Sequence, residues 1–161
     1  MPRLVKPLLA TVVGLALLAA TSTSSTAQEG SGQRGPLASG CWGTKLETRI
    51  LRDHVTNRRI GRVELWYSPA RRGTNCVITY NEVPGRANTY PYLIVDDNRN
   101  RDNIGRVEKG DRVSYDVDDY RYYAGGSYRR NTNGKCVRFG GYVISRRGHD
   151  SFGSRWVHCG R

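Results

Sequence analysis

Apolar and polar residues alternate at every second position in many short stretches after Cys41. The clearest stretch is "RIGRVELWYS", in which Val63 and Leu65 alternate with the charged residues Arg62 and Glu64. Such alternation is typical of β-strands with one buried face. No stretch combines a sustained 3.6-residue period with helix-capping residues. The pattern therefore predicts an all-β protein.

Further segments of the same kind are separated by sequences typical of turns, such as "PARRGTN". These segments are "TKLETRIL", "CVITYN", "TYPYLIV", "RVSYDV", "KCVRFGGYVIS" and "RWVHC". They predict a small antiparallel sandwich or partly open barrel of about seven or eight strands, stapled by disulfides. Pro91 predicts that its strand begins there or runs along an edge. The glycine pair Gly140-Gly141 predicts a bulge or a sharp bend.

Residues 1–27 have the features of a secretory signal peptide. Arg3 and Lys6 precede the apolar run Pro7–Ala20, and "STA" at residues 25–27 supplies the small residues of a cleavage site. The apolar run is shorter than the roughly 20 residues of a membrane-spanning helix. We therefore expect cleavage, export and no stable membrane anchor.

The remaining chain divides into two parts. Residues 28–40 are rich in glycine and serine, and predict a flexible leader. Residues 41–161 predict a single β domain, long enough to bury a modest core.

The chain is strongly basic, with 26 Lys and Arg residues against 14 Asp and Glu and a formal charge of +12. Three arginine pairs lie in predicted turns: Arg71-Arg72, Arg129-Arg130 and Arg146-Arg147. One interpretation is a solvated surface that resists aggregation. The other is attraction to an anionic partner such as wall polymer, nucleic acid or acidic polysaccharide, for which these six residues are the candidate contacts.

The four cysteines are Cys41, Cys76, Cys136 and Cys159. An even number of cysteines in an exported chain predicts two disulfides. A zinc site is not expected, because zinc sites use closely spaced cysteine pairs that this chain lacks.

The acidic loop "DDNRNRDN" contains Asp96, Asp97 and Asp102, whose oxygens are of the kind that bind calcium. Arginines lie among them, and the glycine and glutamate of an EF-hand are missing. We therefore expect no metal and no cofactor.

Catalytic motifs are also missing. The chain has no Gly-X-Ser-X-Gly elbow, no paired-histidine zinc motif and no phosphate-binding glycine loop. Its histidines are His54, His149 and His158. A secreted ribonuclease is the enzymatic alternative, with Glu64, Arg62 and His149 in the catalytic roles. Their spacing does not require this, and we expect no catalytic residues.

The segment "DYRYYAGGSYRRN" interleaves aromatic and basic residues, as single-strand nucleic-acid binders do. The other interpretation is an aromatic-rich hairpin, with Tyr120, Tyr122 and Tyr128 alternating between core and surface. The hairpin is favoured for an exported protein, and nucleic acid is not the expected partner.

Four pieces occur in order: "CWG", then "VELWYS" leading into "NCVITY", then "GKCVRFGGYVI", and finally "HCG". Together they resemble the spore-associated protein A family, small secreted proteins of filamentous actinobacteria. The resemblance covers most of Cys41 to Gly160. It implies export and association with spores or the cell surface, and brings no established catalytic residues.

Strand neighbours predict the disulfide pairing. If "KCVRFGGYVIS" and "SRWVHCG" are antiparallel neighbours, Cys159 meets Cys136. A meander of "KLETRIL", "GRVELWY" and "CVITY" likewise returns Cys76 to Cys41.

The favoured function is a non-catalytic, secreted basic protein of the spore or cell surface that binds anionic wall polymer. The alternative is a small secreted hydrolase, a ribonuclease.

Overall fold

The computed structural model describes residues 40–97 and 110–160, so the predicted signal peptide and nearly all of the predicted leader lie outside the described residues. Within these ranges the chain forms nine strands and no helix. The strands are β1 (Thr44–Arg52), β2 (Arg59–Ser68), β3 (Thr74–Asn81), β4 (Ala87–Val95), β5 (Arg112–Tyr115), β6 (Asp118–Tyr120), β7 (Tyr123–Arg130), β8 (Val137–Ser145) and β9 (Gly148–Gly153). The all-β prediction is confirmed, with slightly more strands than expected.

The strands form two antiparallel sheets. The first has the order β1-β2-β3-β7, and its first three strands are the predicted meander. The second has the order β5-β4-β8-β9, with β6 following β5 along the same edge of β4. The chain crosses between the sheets three times, after β3, after β6 and after β7.

The core fills the space between the sheets. Fully buried side chains of the first sheet meet those of the second: Leu51, Val63, Leu65 and Val77 against Leu93, Val95, Val137, Phe139 and Val143. Each such side chain contributes about 1.5–3 kcal/mol by leaving water. The buried Thr79 hydroxyl adds a polar link, since it donates to the Tyr90 carbonyl at 3.2 Å.

The prediction of a bulge or bend at Gly140-Gly141 is wrong. Strand β8 is continuous there, and its pairing with β4 runs without a break. A Cβ atom on Gly141 would lie 2.1 Å from Thr79 Oγ1, and one on Gly140 would lie 2.2 Å from the Phe152 carbonyl oxygen. The glycines are therefore required by close packing against both faces of β8.

Pro91 lies in the middle of a central strand, so the prediction of a strand start or an edge is also wrong. The Asp116 amide donates to the Pro91 carbonyl at 3.3 Å. The proline nitrogen faces the same edge of β4, because the two backbone groups of a strand residue point to one side. At that point β5 has ended and β6 has not begun. The N–H group that proline lacks would therefore point to the gap between β5 and β6, where no strand pairs with β4 on this edge.

The expected hairpin around Tyr120, Tyr122 and Tyr128 does not form. Strand β6 pairs with β4, whereas β7 pairs with β3 in the other sheet. The Tyr120 hydroxyl donates to Asp116 Oδ1 at 2.6 Å, and burial together with this hydrogen bond raises the pKa of Tyr120. Tyr122 and Tyr128 are exposed. These tyrosines therefore do not share one stacking surface.

Both predicted disulfides, Cys41–Cys76 and Cys136–Cys159, are confirmed. The second depends on a short antiparallel bridge, in which Val137 and Val157 exchange backbone hydrogen bonds of 2.9 and 2.8 Å. On this side of β8 the full strand partner is β9, and not the segment "SRWVHCG". Two disulfides indicate an oxidising environment. Among the described residues, no helix has the length and apolar character to cross a membrane.

Candidate functional site

Two of the three arginine pairs meet at one end of the sandwich. Arg71-Arg72 lie in the turn between β2 and β3, and Arg129-Arg130 end β7, the neighbour of β3. The segment after β7 fastens the turn, because the amides of Asn131 and Asn133 donate to the carbonyls of Arg71 and Arg72 at 3.3 and 3.1 Å. We call this region the basic end; it comprises Arg71, Arg72, Arg112, Arg129, Arg130 and Lys135.

Arg71 and Arg72 have an unusual backbone conformation. Their φ angles are 57° and 60°, and Gly73 follows with φ 84°. The left-handed region is unfavourable for residues with a Cβ atom, and turns that need it usually contain glycine or asparagine. Two consecutive exposed arginines in this conformation form a backbone outlier of the kind that clusters at ligand-binding sites.

Arg129 and Arg130 belong to strand β7 and not to a turn as expected. The half-buried Arg129 reaches across the sandwich, where its Nη2 donates to the Val113 carbonyl of β5. Arg129 thus links the two sheets by a hydrogen bond. Arg130 is exposed, and its guanidinium lies 5.5 Å from the ring centre of Tyr128. Of this pair, Arg130 is the residue that a ligand can reach.

Arg112 and Lys135 were not identified from the sequence. Arg112 binds Asp97 with two nitrogens, and Lys135 contacts the same carboxylate. Burial opposes ionisation of Asp97, but the hydrogen bonds from Arg112 and Lys135 outweigh it and hold the pKa of Asp97 below its usual value. One carboxylate is thus shared by two cations, and the basic end keeps an excess of positive charge.

An open groove of about 530 Å³ crosses the basic end. It is lined by Asp111, Arg112, Val113, Tyr128, Arg129 and Arg130. Asp97, one of the calcium candidates, is occupied by its two cationic neighbours, and Asp102 lies outside the described residues.

The third pair, Arg146-Arg147, lies at the opposite end of the molecule. It forms the turn between β8 and β9. Strand β8 starts beside Cys136 at the basic end and has nine residues, so this turn is roughly 25 Å away. The three predicted pairs therefore do not form one surface.

Two histidines come together near this distant pair. His54 Nε2 lies 3.4 Å from Asp150 Oδ1, and the rings of His54 and His149 are 5.4 Å apart. The Asp53 carboxylate beneath them accepts from the Thr56 hydroxyl and amide at 2.7 and 2.8 Å. These bonds lower the pKa of Asp53. This contact could not be predicted from the sequence, because it depends on the approach of two edge strands, β1 of the first sheet and β9 of the second.

The residues considered for a ribonuclease do not assemble. Arg62 and Glu64 pair at 3.0 Å on the first sheet, whereas His149 lies on β9 of the second. Glu64 is buried and also accepts from Trp66 Nε1 at 3.1 Å. Its oxygens are already engaged, so it is a poor candidate for a catalytic base. His158 lies elsewhere, 3.1 Å from Glu47.

Within residues 40–97 and 110–160, no group of three or more His, Cys, Asp or Glu side chains is placed to hold a metal ion. No protein-family model, curated protein or solved structure matches the chain.

Proposed function

We propose that this is a secreted, non-catalytic protein of the spore or cell surface that binds anionic wall polymer through its basic end. The observation that carries the proposal is the pair Arg71-Arg72, held exposed and in the left-handed conformation beside Arg130. The signal-like N-terminus, the disulfides and the resemblance to the spore-associated protein A family support the location.

The chemistry of the basic end suits phosphate or carboxylate groups. The planar arginine fork binds either group through two parallel hydrogen bonds. The groove is open and not enclosed, which fits a chain that passes across the surface better than a small molecule that must be surrounded. Tyr128 adds an exposed ring beside Arg130.

The first prediction compares two variants of equal charge. Arg71→Ser/Arg72→Ser should bind a phosphate-bearing wall polymer about tenfold more weakly, because two exposed charge contacts of about 0.7 kcal/mol each are lost. Arg146→Ser/Arg147→Ser should bind almost normally, since that pair lies at the other end. Affinity is measured by titration calorimetry at several salt concentrations, with uncharged dextran as the control polymer.

Counterion release should also make the binding of the parent protein fall steeply with salt. The Arg71→Ser/Arg72→Ser variant should show a shallower dependence. Equal weakening by both double variants would mean that net charge alone attracts the polymer, and that the basic end is not its site. No binding even at low salt would leave the charge as a solvated surface.

One observation favours a second candidate function, a small secreted hydrolase. His54 and His149 lie close together beside Asp150, and Arg146-Arg147 form the turn between β8 and β9 that precedes His149. Two imidazoles can share acid–base work on a phosphodiester, one taking the proton of the attacking hydroxyl and the other protonating the leaving oxygen. The second candidate is therefore a ribonuclease.

RNA cleavage separates the two functions. We expect the purified protein to leave single-stranded RNA intact, because the histidines lie on an open surface and not in a cleft. Fragments are followed by gel electrophoresis for the parent and for the single changes His54→Ala, His149→Ala and His158→Ala. Cleavage that is lost in the first two variants and kept in the third would establish the hydrolase instead.

A further inference from the structure

Two large aromatic side chains lie exposed beside the basic end. Trp42, which precedes β1, is 44% exposed, and Tyr128 of β7 is 39% exposed. Their ring centres are 6.2 Å apart, and the rings are tilted by 56°. Tryptophan and tyrosine are enriched where a surface binds a partner, because each combines a large apolar face with a polar edge. We call this pair the aromatic patch.

The backbone holds Trp42 over β7. The preceding residue, Cys41, is bonded to Cys76 of β3, and Cys76 is the cross-strand neighbour of Tyr128. The following residue, Gly43, has a φ angle of 103° and packs so closely on β2 that a Cβ atom would collide with a carbonyl oxygen of that strand. Trp42 is therefore fixed from both sides, and its ring is held exposed in one place.

Arginines continue the aromatic patch into the groove of the basic end. Tyr128 and Arg130 are two positions apart on β7, so their side chains lie on the same face, and the Arg130 guanidinium lies 5.5 Å from the ring centre of Tyr128. Tyr128 also lines the groove, together with Arg112 and Arg130. The exposed turn Arg71-Arg72 is fastened to the segment that follows Arg130. Aromatic rings and cations thus share one continuous, accessible surface.

This combination fits a single strand of nucleic acid. Every base offers a flat π face that stacks on an aromatic side chain, and every nucleotide brings a phosphate that arginine binds. Proteins that bind single strands combine aromatic side chains with a positively charged groove in the same way. A duplex fits less well, because its bases are stacked on one another and must be unstacked before they can reach a side chain.

We infer that the basic end also binds single-stranded nucleic acid, with bases stacked on Trp42 and Tyr128 and phosphates on Arg130 and the Arg71-Arg72 turn. This function goes beyond the proposed binding of wall polymer, which does not need the aromatic rings. The segment "DYRYYAGGSYRRN" by itself predicts a hairpin and not a nucleic-acid partner. Its Tyr128 gains a second ring only through the fold, which brings Trp42 beside it.

The test compares short strands that carry the same number of phosphates. They are oligothymidylate, oligouridylate and an abasic DNA strand that lacks every base, each with a dye at one end for fluorescence anisotropy. The first two should bind alike, because stacking and phosphate contacts distinguish neither the base nor the sugar. The abasic strand should bind about fivefold more weakly or worse, the effect of losing one stacked base. Equal binding of the abasic strand, or of duplex DNA, would overturn the inference, because charge alone would then explain the contact.

Replacing the exposed tryptophan tests the site itself. Trp42→Ala should weaken oligothymidylate about fivefold or more, and it should leave the slope of affinity against salt unchanged, because no charge is removed. Trp42→Phe keeps a ring and should retain most of the affinity. Quenching of tryptophan fluorescence should accompany binding to the parent protein and be lost in Trp42→Phe.

The matched control is Tyr122→Ala. Tyr122 is also 44% exposed, and its ring centre lies 5.4 Å from the Arg121 guanidinium, but it precedes β7 and so lies far from the basic end. This variant should bind oligothymidylate like the parent. Equal weakening by Tyr122→Ala and Trp42→Ala would show that any exposed aromatic ring serves, and that the aromatic patch is not the site.

Poly(glycerol phosphate), a wall polymer with phosphates but no rings, separates this inference from the proposed function. It should bind the parent protein and Trp42→Ala equally. If it binds in a salt-dependent way while oligothymidylate and oligouridylate do not bind, the inference is wrong and the proposed function stands. If the two oligonucleotides bind through Trp42 but no wall polymer binds, the proposed function fails and the inference stands.

Discussion

Replacing Cys136 and Cys159 by serine should lower the free energy of unfolding by about 3.5 kcal/mol, the cost that loop entropy gives for cross-linking cysteines this far apart. The two cysteines are separated by 23 residues. Apart from the disulfide, the end of the chain is attached to β8 mainly through the Val137–Val157 bridge. Unfolding in guanidinium chloride measures the loss.

The matched variant replaces Cys41 and Cys76, which are separated by 35 residues. The same entropy model gives about 4 kcal/mol for this pair. Both double variants should therefore be destabilised by similar amounts. Only the Cys136/Cys159 change should also loosen the C-terminal segment, in which His158 lies 3.1 Å from Glu47. Amide hydrogen exchange of residues 154–160 measures this at a temperature where both variants stay folded. A loss below about 1 kcal/mol in either variant would show that the disulfide constrains the unfolded chain less than its loop length implies.

The parts of the fold that follow from local patterns could be predicted from the sequence. Alternation identified β2 correctly, because one face of this strand packs on the core while the other carries Arg62 and Glu64. Short turns made β1, β2 and β3 neighbours, and that order placed Cys41 beside Cys76.

Features that depend on pairing between distant segments could not be predicted. Pro91 indicates an edge by its own chemistry, and only the break between β5 and β6 allows it in a central strand. The glycines of β8 suggest a bend, whereas Gly141 is required by the approach of Thr79 from the other sheet and Gly140 by the approach of the Phe152 carbonyl. In both cases the deciding atoms belong to residues that no local pattern connects.

The candidate site could also be predicted only in part from the sequence. Arginine pairs are visible in the sequence, but their distribution over two ends of the molecule is decided by sheet order. Arg129 looks like a surface charge and instead bonds the carbonyl of Val113. A cavity of about 180 Å³ near the basic end draws its wall from five separate segments, among them β1 with Leu46 and the C-terminal segment with His158.

The close contact between the sheets makes Gly141 one of the least replaceable residues. A Cβ atom there would lie 2.1 Å from Thr79 Oγ1 and 2.4 Å from the Tyr90 carbonyl oxygen. The Tyr90 oxygen is part of the backbone of β4 and cannot rotate away. Gly141→Ala should therefore cost about 3 kcal/mol through overpacking, even though alanine suits a strand interior better than glycine by about 0.5–1 kcal/mol.

A second glycine provides the control. A Cβ atom on Gly153 would meet only the end of the Tyr92 side chain, 2.7 Å from its hydroxyl oxygen. Gly153→Ala should cost about 1 kcal/mol, and the added change Tyr92→Phe should remove most of that cost. No side-chain change of this kind can relieve Gly141→Ala, because its clash includes backbone. Denaturant unfolding of the four proteins gives the comparison. If Gly141→Ala were as stable as the parent, close packing between Thr79 and β8 would not be the reason for glycine at that position.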